Sequence, residues 1–564
     1  MEQYKIVIED RNCEEWSLTN TITLEDVSLK EFNPLLYKLF NGDIFTYNNG
    51  EFSLIHSCTK SMNYLSGVLV LEKNKSYGKY KDKHLYKCLP DDRRIPSFLI
   101  PYEIKKIGFS KIYKNKYVTF SYSHWDHKHP YGKLLQVIGE VDKLENFYEY
   151  QLYCKSLNAS IQGFTRATSQ ALKLRSREEF IDLVFEKYPN IENRIESHKI
   201  FTIDSETTQD YDDAIGIKKV DDTYTIVSIY ISNVVIWMEL LDLWDSFSER
   251  ISTIYLPDRK RPMMPTVLSE CLCSLQENET RFAFTMDIHI KNNMIENVTY
   301  CNSAIKIYRN FVYDTEELLE DEEYKSIYST LKGLSNKKKF VPYIKQSGDV
   351  ITYLMIMMNH STGMELLKIN KGIFRSAVFT PKVKIPDHLP ETVYKFLHNW
   401  SNFSGQYVLD IPEKHELLEL ECYIHITSPI RRLVDLLNMI KLHEKFNLIP
   451  MSDKVSKFYD NWTERIEHIN ITMRAIRKVQ VDCNLLEMCM NDNEILKKDY
   501  DGYMFDKMER NDGLYQYMVF LPDLKMTSKI TIRDDVENYA NCKFNIHIFT
   551  DQDRLKKKIR LQIL

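Results

Sequence analysis

The spacing of hydrophobic and polar positions changes several times along the chain. In the first part, short apolar or alternating stretches bounded by turn residues predict β-strands, most clearly at residues 4–9, 67–71, 98–101, 117–123 and 134–141. The strands between residues 66 and 142 are interleaved with basic and aromatic residues, which is typical of a small barrel of the OB or cold-shock kind. Such a barrel can bind a single strand by stacking and backbone charge contacts. A barrel used only for packing is the alternative.

Further along, the apolar positions take a helical period. Residues 147–154 and 180–185 predict a helical spacer. Within residues 199–489, a strand and its exit are predicted at 226–237, and helices at 350–368 and 433–446, which together indicate an α+β domain.

Short strands return from residue 498 to the C-terminus and predict a second barrel. The sequence Asn511-Asp512-Gly513 before an extended run at 514–521 predicts a β-hairpin. The barrel ends in a basic run at residues 556–560.

Length, charge and cysteine content limit the possible classes of protein. A chain of 564 residues is long enough for several domains, and its net charge of −5 neither supports nor excludes a polyanionic partner. The 11 cysteines have no zinc-knuckle spacing, so we interpret them as reduced thiols of an intracellular protein. With no secretory signal and no apolar run near the ~20 residues that span a bilayer, we expect a soluble protein without a membrane partner.

The main candidate site is a cluster of four carboxylates between two apolar stretches: Asp204, Asp210, Asp212 and Asp213. Carboxylates this close repel one another unless they are protonated or bind a cation, and pairs of Mg²⁺ ions held by carboxylates commonly serve to cut phosphodiesters. From this stretch alone, a solvated acidic loop is equally possible. A calcium loop is disfavoured because the glycine and later glutamate of an EF-hand are missing.

Three motifs in a fixed order resemble those of the ribonuclease II family. They are the aspartate spacing, the segment 255–275 that begins Tyr255-Leu-Pro, and the segment 423–432 that contains His425, Arg431 and Arg432. The resemblance implies an α+β, multidomain protein in which OB-fold and cold-shock barrels flank a central RNB catalytic domain. It also implies four regions: a reduced or divergent cold-shock-like domain at 1–65, a cold-shock barrel with a helical linker at 66–198, the RNB domain at 199–490, and an OB-fold RNA-binding domain at 495–564.

The resemblance also implies an activity: a 3′→5′ exoribonuclease that hydrolyses single-stranded RNA and releases nucleoside 5′-monophosphates. The four aspartates would hold two Mg²⁺ ions, for which Mn²⁺ could substitute. Arg431 would neutralise the phosphoryl oxygens in the transition state, and Tyr255 would stack on the terminal nucleotide. Arg432 and His425 would join Tyr255 and Arg431 in binding substrate.

Each of these roles has a structural alternative. Tyr255 could be a core aromatic, Arg431 could pair with Asp435 one helical turn on, and His425 is better explained as a packed, hydrogen-bonded histidine than as a proton shuttle.

The sequence departs from the family pattern in the supporting residues of the site. Asn233 stands where the family often has an acid, Met439 and Ile440 replace a His-Arg pair, and the stretch 468–474 lacks a glutamate. An RNA-binding protein or scaffold with weak or no catalysis is therefore the alternative function. We expect a cytoplasmic monomer whose partner is single-stranded RNA, and a larger RNA-decay assembly stays open.

Overall fold

The computed structural model describes the chain except for residues 1, 30–31, 49, 105–112, 336–339, 341–343, 377–384, 387, 412–419, 493 and 511, and except for the side chains of 335, 398–399 and 401–404. The described residues divide into two compact units. The first comprises Met1–Asn158, Leu256–Arg259 and Arg477–Leu564, and the second comprises Ala159–Tyr255 and Lys260–Ile476. The domain boundaries expected from the sequence stay predictions.

The first unit begins with a five-stranded antiparallel sheet. In spatial order its strands are Asp26–Val27, Trp16–Asn20, Gln3–Ile8, Ile44–Asn48 and Glu51–His56. The alternating pattern of the first strand buries Tyr4, Ile6 and Ile8 against Leu18 and Phe45. A small core of its own therefore holds this segment together.

The next sheet of this unit has six strands, in the order Leu65–Leu69, Lys116–His124, Tyr131–Glu140, Phe98–Tyr102, Lys83–Pro90 and Lys79–Tyr80. The first strand also pairs with Lys83–Pro90, which closes the sheet into a barrel. The four strands predicted in this region are confirmed with small shifts at their ends. Helices Cys58–Ser61 and Leu144–Cys154 and the 3₁₀ turn Glu72–Asn74 accompany this barrel.

The C-terminal part of the first unit is a five-stranded sheet in the order Met526–Ile532, Tyr515–Leu521, Tyr500–Glu509, Asn541–Asp551 and Lys556–Ile563. Glu509 pairs with Tyr515, which confirms the predicted hairpin, although Asn511 itself lies outside the described residues. Short 3₁₀ turns cover Ile495–Lys497 and Pro522–Leu524.

The second unit contains a six-stranded mixed sheet in the order Glu192–Asn193, Met294–Val312, Ile200–Asp204, Asp213–Lys219, Tyr224–Ser232 and Thr280–Lys291. The long strand Met294–Val312 also pairs with Thr280–Lys291, so that this sheet closes on itself. The second unit also contains two separate two-stranded antiparallel sheets. One pairs Ile254–Tyr255 with Lys260–Arg261, and the other pairs Ile373–Ser376 with Gln406–Leu409. The predicted α+β, multidomain fold class is confirmed.

Helices make up most of the remaining second unit. Their bounds are Gln162–Leu172, Arg177–Lys187, Val234–Leu240, Trp244–Ser246 (3₁₀), Thr266–Leu268, Ser269–Cys273 (π), Glu316–Glu320, Glu322–Ser335, Ser347–Leu367, Glu391–Ser404, Leu433–Phe446, Asp453–Thr463 and Ile466–Asn491, the last of which continues into the first unit. Local signals set several ends. Ser176 and Glu179 form a capping box before Arg177–Lys187, and Asn447 at φ 51° ends Leu433–Phe446 in the left-handed conformation.

The helix Leu433–Phe446 is buried on nearly all sides, and it coincides with the predicted helix at 433–446. The helix predicted at 350–368 is present as Ser347–Leu367. Among the residues that the structure describes, no helix is both long enough and apolar enough to cross a bilayer.

Candidate active site

Two neighbouring strands bring Asp204 and Asp213 to the same edge of the mixed sheet. Asp204 is the last residue of Ile200–Asp204, and Asp213 is the first residue of Asp213–Lys219. These strands are antiparallel, with Phe201 paired to Ile215, so the end of one lies beside the start of the other. The loop that joins them carries Asp210 and Asp212. Strand pairing therefore explains how carboxylates nine positions apart in the chain come to share one site.

The loop between the strands is held by backbone and hydroxyl contacts. The Ser274 hydroxyl accepts a hydrogen bond from the Tyr211 N–H at 3.0 Å and donates one to the Gln209 carbonyl at 3.0 Å. The Leu275 N–H donates to the Tyr211 carbonyl at 2.9 Å. This part of the loop is thus tied to the segment 274–275, which fixes the positions of the aspartates on either side of Tyr211.

Asp212 is buried and pairs with Arg431. Its Oδ2 lies 2.9 Å from Arg431 Nε, and its Oδ1 accepts a hydrogen bond from the Ile430 N–H at 2.9 Å. Burial raises the pKa of Asp212 to about 7, against the opposing effects of Arg431 and the Ile430 N–H. Residues 219 positions apart in the sequence therefore meet in the site.

Among the residues that the structure describes, Asp204 and Asp213 have no cationic partner of this kind. Burial raises the pKa of Asp204 to about 6, and a hydrogen bond with Thr202 and the charge of Arg431 only partly offset that rise. The pKa of Asp213 lies well above its usual range because of burial and of repulsion by Asp204 and Asp212, again opposed by Arg431. In the described part of the chain, no group donates a hydrogen bond to the Asp213 carboxylate.

Asp210 has a different environment, beside Lys260. The Lys260 ammonium lies 3.2 Å from each Asp210 oxygen and 2.6 Å from Glu270 Oε1. Burial lowers the pKa of Lys260, but Glu270 and Asp210 outweigh this and leave it raised. Among the described residues, no three carboxylate, histidine or cysteine side chains are already arranged to bind a metal ion.

A backbone pairing brings Tyr255 to the same site. The Thr253 N–H donates to the Arg431 carbonyl at 2.9 Å, and the Leu433 N–H donates to the Ile251 carbonyl at 2.9 Å. Tyr255 follows two residues later and is 41% exposed, so the interpretation as a core aromatic is wrong. Burial raises the pKa of Tyr255 to about 12, and Arg431 opposes this rise while Asp210 and Asp212 add to it, which places the phenol within the electrostatic reach of the site.

Arg431 is the basic group whose charge acts on Asp204, Asp212 and Asp213. Its side chain is 45% exposed, and its Nη2 donates to the Ser428 hydroxyl at 2.9 Å. The pairing with Asp435 that the sequence left open for Arg431 is made instead by the next residue. Arg432 Nη2 donates to Asp435 Oδ1 at 2.8 Å, and the buried Asp435 also accepts from the Ser428 N–H.

His425 lies in a half-buried, hydrogen-bonded setting. Its Nδ1 is 2.8 Å from the Tyr407 hydroxyl, and its carbonyl accepts from Asn438 Nδ2 at 3.0 Å. The structure thus brings Asp204, Asp212, Asp213, Arg431 and Tyr255 together, whereas Asp210 pairs with Lys260, Arg432 with Asp435, and His425 with Tyr407. The substrate-binding roles of Arg432 and His425 stay predictions.

Two neighbours of the site were missed by the sequence analysis. Lys260 lies in the segment 255–275, within the basic run Arg259-Lys260-Arg261, and a basic run in a motif that accompanies an acidic cluster was a usable signal. Tyr313 follows the strand Met294–Val312, and its N–H donates to the Asp204 carbonyl at 3.1 Å. Burial and the charges of Asp213 and Asp204 raise its pKa. No local pattern marks Tyr313, because its position depends on a parallel pairing with a distant strand.

Asn233, the departure from the family pattern, belongs to a buried polar network. Its Oδ1 accepts from the Ile236 N–H, and its Nδ2 lies 2.9 Å from Asn302 Oδ1 and 3.1 Å from His443 Nε2. His443 Nδ1 faces the Met439 carbonyl, so Nδ1 carries the proton and Nε2 accepts. Burial lowers the pKa of His443 to about 4. An amide donor at 233 therefore satisfies partners that a carboxylate could not.

Known protein families match two parts of the chain. Residues 192–340 match the RNB domain, and residues 85–150 match the Dis3-like cold-shock domain 2. Ribonuclease R from Mycoplasmopsis pulmonis is 26% identical over 393 residues, which is 57% of this chain and 52% of that protein. The chain therefore matches about half the length of this relative.

Solved structures share the fold. Mycoplasma genitalium RNase R in complex with ribose methylated single-stranded RNA aligns with a TM-score of 0.69 at 15% identity, over 99% of this chain and 100% of that one. Yeast Ssd1, a pseudonuclease, aligns with a TM-score of 0.58 at 12% identity, over 96% of this chain and 80% of that one. At such identities the likeness shows the fold alone.

Proposed function

We propose that this relative of the ribonuclease II family, which carries an RNB domain preceded by a Dis3-like cold-shock domain, is a 3′→5′ exoribonuclease that hydrolyses single-stranded RNA to nucleoside 5′-monophosphates. Ribonuclease R from Mycoplasmopsis pulmonis, about half of whose length the chain matches, is a relative named for this activity.

One observation carries the proposal. Arg431 Nε lies 2.9 Å from Asp212 Oδ2, and the charge of Arg431 also opposes the rise in the pKa of Asp204 and Asp213, so all three carboxylates lie within its electrostatic reach. An anionic cluster with one planar cation at its border is suited to a phosphodiester, because the cation can pair with the phosphoryl oxygens while the carboxylates hold counter-ions. Tyr255, exposed beside them, supplies an aromatic surface for a base.

The donor set fits magnesium. Carboxylate oxygens are the ligands that Mg²⁺ prefers, and Asp204 and Asp213 are close enough for the charge of Asp204 to raise the pKa of Asp213, with no cation paired to either in the described part of the chain. We assign the metal ligands to Asp204, Asp210, Asp212 and Asp213, with Mn²⁺ as a possible replacement. When bound, two such ions would activate a water molecule and stabilise the leaving oxygen.

The remaining roles belong to side chains of the chain itself. Arg431 can release Asp212 Oδ2 for a metal and turn its planar donors to the phosphate, since its side chain is 45% exposed. Tyr255 would stack on the terminal base and set the register of the strand. In the first unit, the barrel carries a stacked pair, His124 and Tyr131, with ring centroids 4.6 Å apart, and an exposed Tyr80, which suit a single RNA strand.

The test compares RNA substrates that differ only at their ends. A 5′-labelled linear RNA with Mg²⁺ should shorten from its 3′ end, and the released product should be nucleoside 5′-monophosphates. A circular RNA of the same sequence should stay intact, and chelation of the metal should stop the reaction. Cleavage of the circle would contradict an exonuclease, and binding without shortening would favour the scaffold function.

Tyr255→Ala is expected to weaken substrate use without removing the chemistry. Stacking of one base on an aromatic ring contributes about 1–3 kcal/mol, so KM should rise roughly 5- to 150-fold. Tyr255→Phe keeps the ring and should stay close to wild type. Steady-state kinetics on the linear RNA separates KM from kcat, and an unchanged KM in the alanine variant would show that Tyr255 does not stack on substrate.

A further inference from the structure

Lys260 lies between two carboxylates at the border of the aspartate site. Its strand, Lys260–Arg261, pairs with Ile254–Tyr255 in a register that sets Lys260 opposite Tyr255. Its ammonium contacts both oxygens of Asp210 at 3.2 Å and Glu270 Oε1 at 2.6 Å. The Lys260 side chain is 20% exposed and that of Asp210 is 7% exposed, so solvent screens this contact only weakly.

This arrangement occupies both oxygens of one of the four aspartates. An ammonium that spans the two oxygens occupies the position where a divalent cation would contact both of them, and two cations at that distance would repel each other. The lysine has a second acceptor, Glu270, which is 30% exposed and already forms the shorter contact. Lys260 can therefore leave Asp210 without losing its ion pair.

We propose that Lys260 is a positioning residue that competes with a divalent cation for Asp210, and that Glu270 holds the displaced ammonium when the cation binds. The inference rests on the proposed function, because it assigns Asp210 to the metal site. In the metal-free protein, Lys260 neutralises the carboxylate of Asp210, which would otherwise repel the other aspartates of the site.

The competition predicts opposite effects for the two partners of Asp210. Lys260→Met removes the competing charge and should tighten divalent-cation binding by roughly tenfold, the scale of one neighbouring charge on a carboxylate. Glu270→Gln removes the alternative acceptor and should weaken binding by several-fold, because the ammonium then belongs to Asp210 alone. The double variant should bind like Lys260→Met, since Glu270 acts only through Lys260. Lys260→Arg keeps the charge and should show no tightening, because a guanidinium can also contact both oxygens of Asp210.

The experiment measures cation binding directly, without RNA or turnover. Mn²⁺ is titrated into the 564-residue protein, and free Mn²⁺ is followed by electron paramagnetic resonance, with thermal melting to confirm the fold of each variant. Lys454→Met is the matched control, because Lys454 also bridges two carboxylates, Asp242 at 2.7 Å and Asp245 at 3.0 Å, but takes no part in the aspartate site. Its affinity should equal that of wild type.

The outcomes separate this inference from the proposed function. Equal Mn²⁺ affinity in wild type and Lys260→Met, or weaker binding in Lys260→Met, overturns the competition while leaving the exonuclease proposal standing. Binding that appears only in Lys260→Met supports the competition in its strongest form. If neither protein binds Mn²⁺, both the competition and the metal-dependent mechanism are overturned.

Discussion

Asp213→Asn is expected to abolish RNA shortening, with kcat lower by about three orders of magnitude, because a metal-held reaction draws several kcal/mol of transition-state stabilisation from its ions. Asparagine keeps the shape of the side chain and removes its charge. The 3′-end assay on labelled linear RNA measures the loss. RNA binding, measured by fluorescence anisotropy, should change little, because the proposed contacts with the strand come mainly from Tyr255, Arg431 and the aromatic residues of the barrel.

The same variant should melt at an equal or higher temperature in the absence of metal. Asp213 is held next to Asp204 and Asp212 at a cost that raises its pKa well above the usual range, and the neutral amide removes that repulsion. Loss of activity together with gain of stability therefore separates a functional carboxylate from a structural one. Asp222→Asn, at an exposed position of a turn, is the control that should change neither. Turnover near the wild-type rate in Asp213→Asn would contradict the metal assignment.

The sequence predicted those parts of the fold that depend on local pattern. The helix Leu433–Phe446 has the predicted bounds, and the hairpin at Asp512-Gly513 joins strands that pair at Glu509 and Tyr515. Both features follow from interactions between residues close in the chain, namely a helical apolar face and a two-residue turn signal. The motif order also led to the correct expectation that Arg431 would meet the aspartates.

The sequence could not predict how the charges of the site divide among partners. Asp212 pairs with Arg431 and Asp210 with Lys260, although all four aspartates belong to one motif. That division depends on two long-range contacts: the pairing of segment 251–253 with 431–433, and the contact of Lys260 with Asp210, 50 positions away. Neither has a local signal, because contacts between distant segments are set by the whole fold.

The effect of Asn233 could not be judged from the sequence either. Compared with the family pattern, the change from acid to amide suggests that the site has lost a supporting residue. In the structure the amide donates to Asn302 Oδ1 and to His443 Nε2, and the latter is an acceptor that a carboxylate would repel. The departure is therefore matched by its partners, one of them 210 residues away, and does not by itself argue for an inactive protein.

Arg431→Lys is expected to lower kcat by roughly 100- to 1,000-fold while leaving the fold intact, because one donor of a charge-stabilising site contributes about that much and lysine cannot reproduce the planar fork. The retained charge can still pair with the buried Asp212 carboxylate, so the melting temperature should stay near that of wild type. KM should change less than kcat, since the fork acts mainly on charge that develops in the transition state. Single-turnover rates on the linear RNA measure the effect.

Arg431→Met removes the charge as well and adds a stability loss that depends on pH. Burial already raises the pKa of Asp212 to about 7 with Arg431 present, so its loss raises that pKa further. A carboxyl group whose folded-state pKa exceeds its unfolded value stabilises the fold below the unfolded pKa and loses that contribution as pH rises through the folded one. The methionine variant should therefore melt close to wild type at pH 5, where Asp212 is protonated in both proteins, and below it at pH 8, where only wild type gains from ionising Asp212; one pH unit above the wild-type pKa corresponds to about 1.4 kcal/mol. Thermal melts of both variants at the two pH values test this, and a pH-independent difference would show that Arg431 does not compensate Asp212.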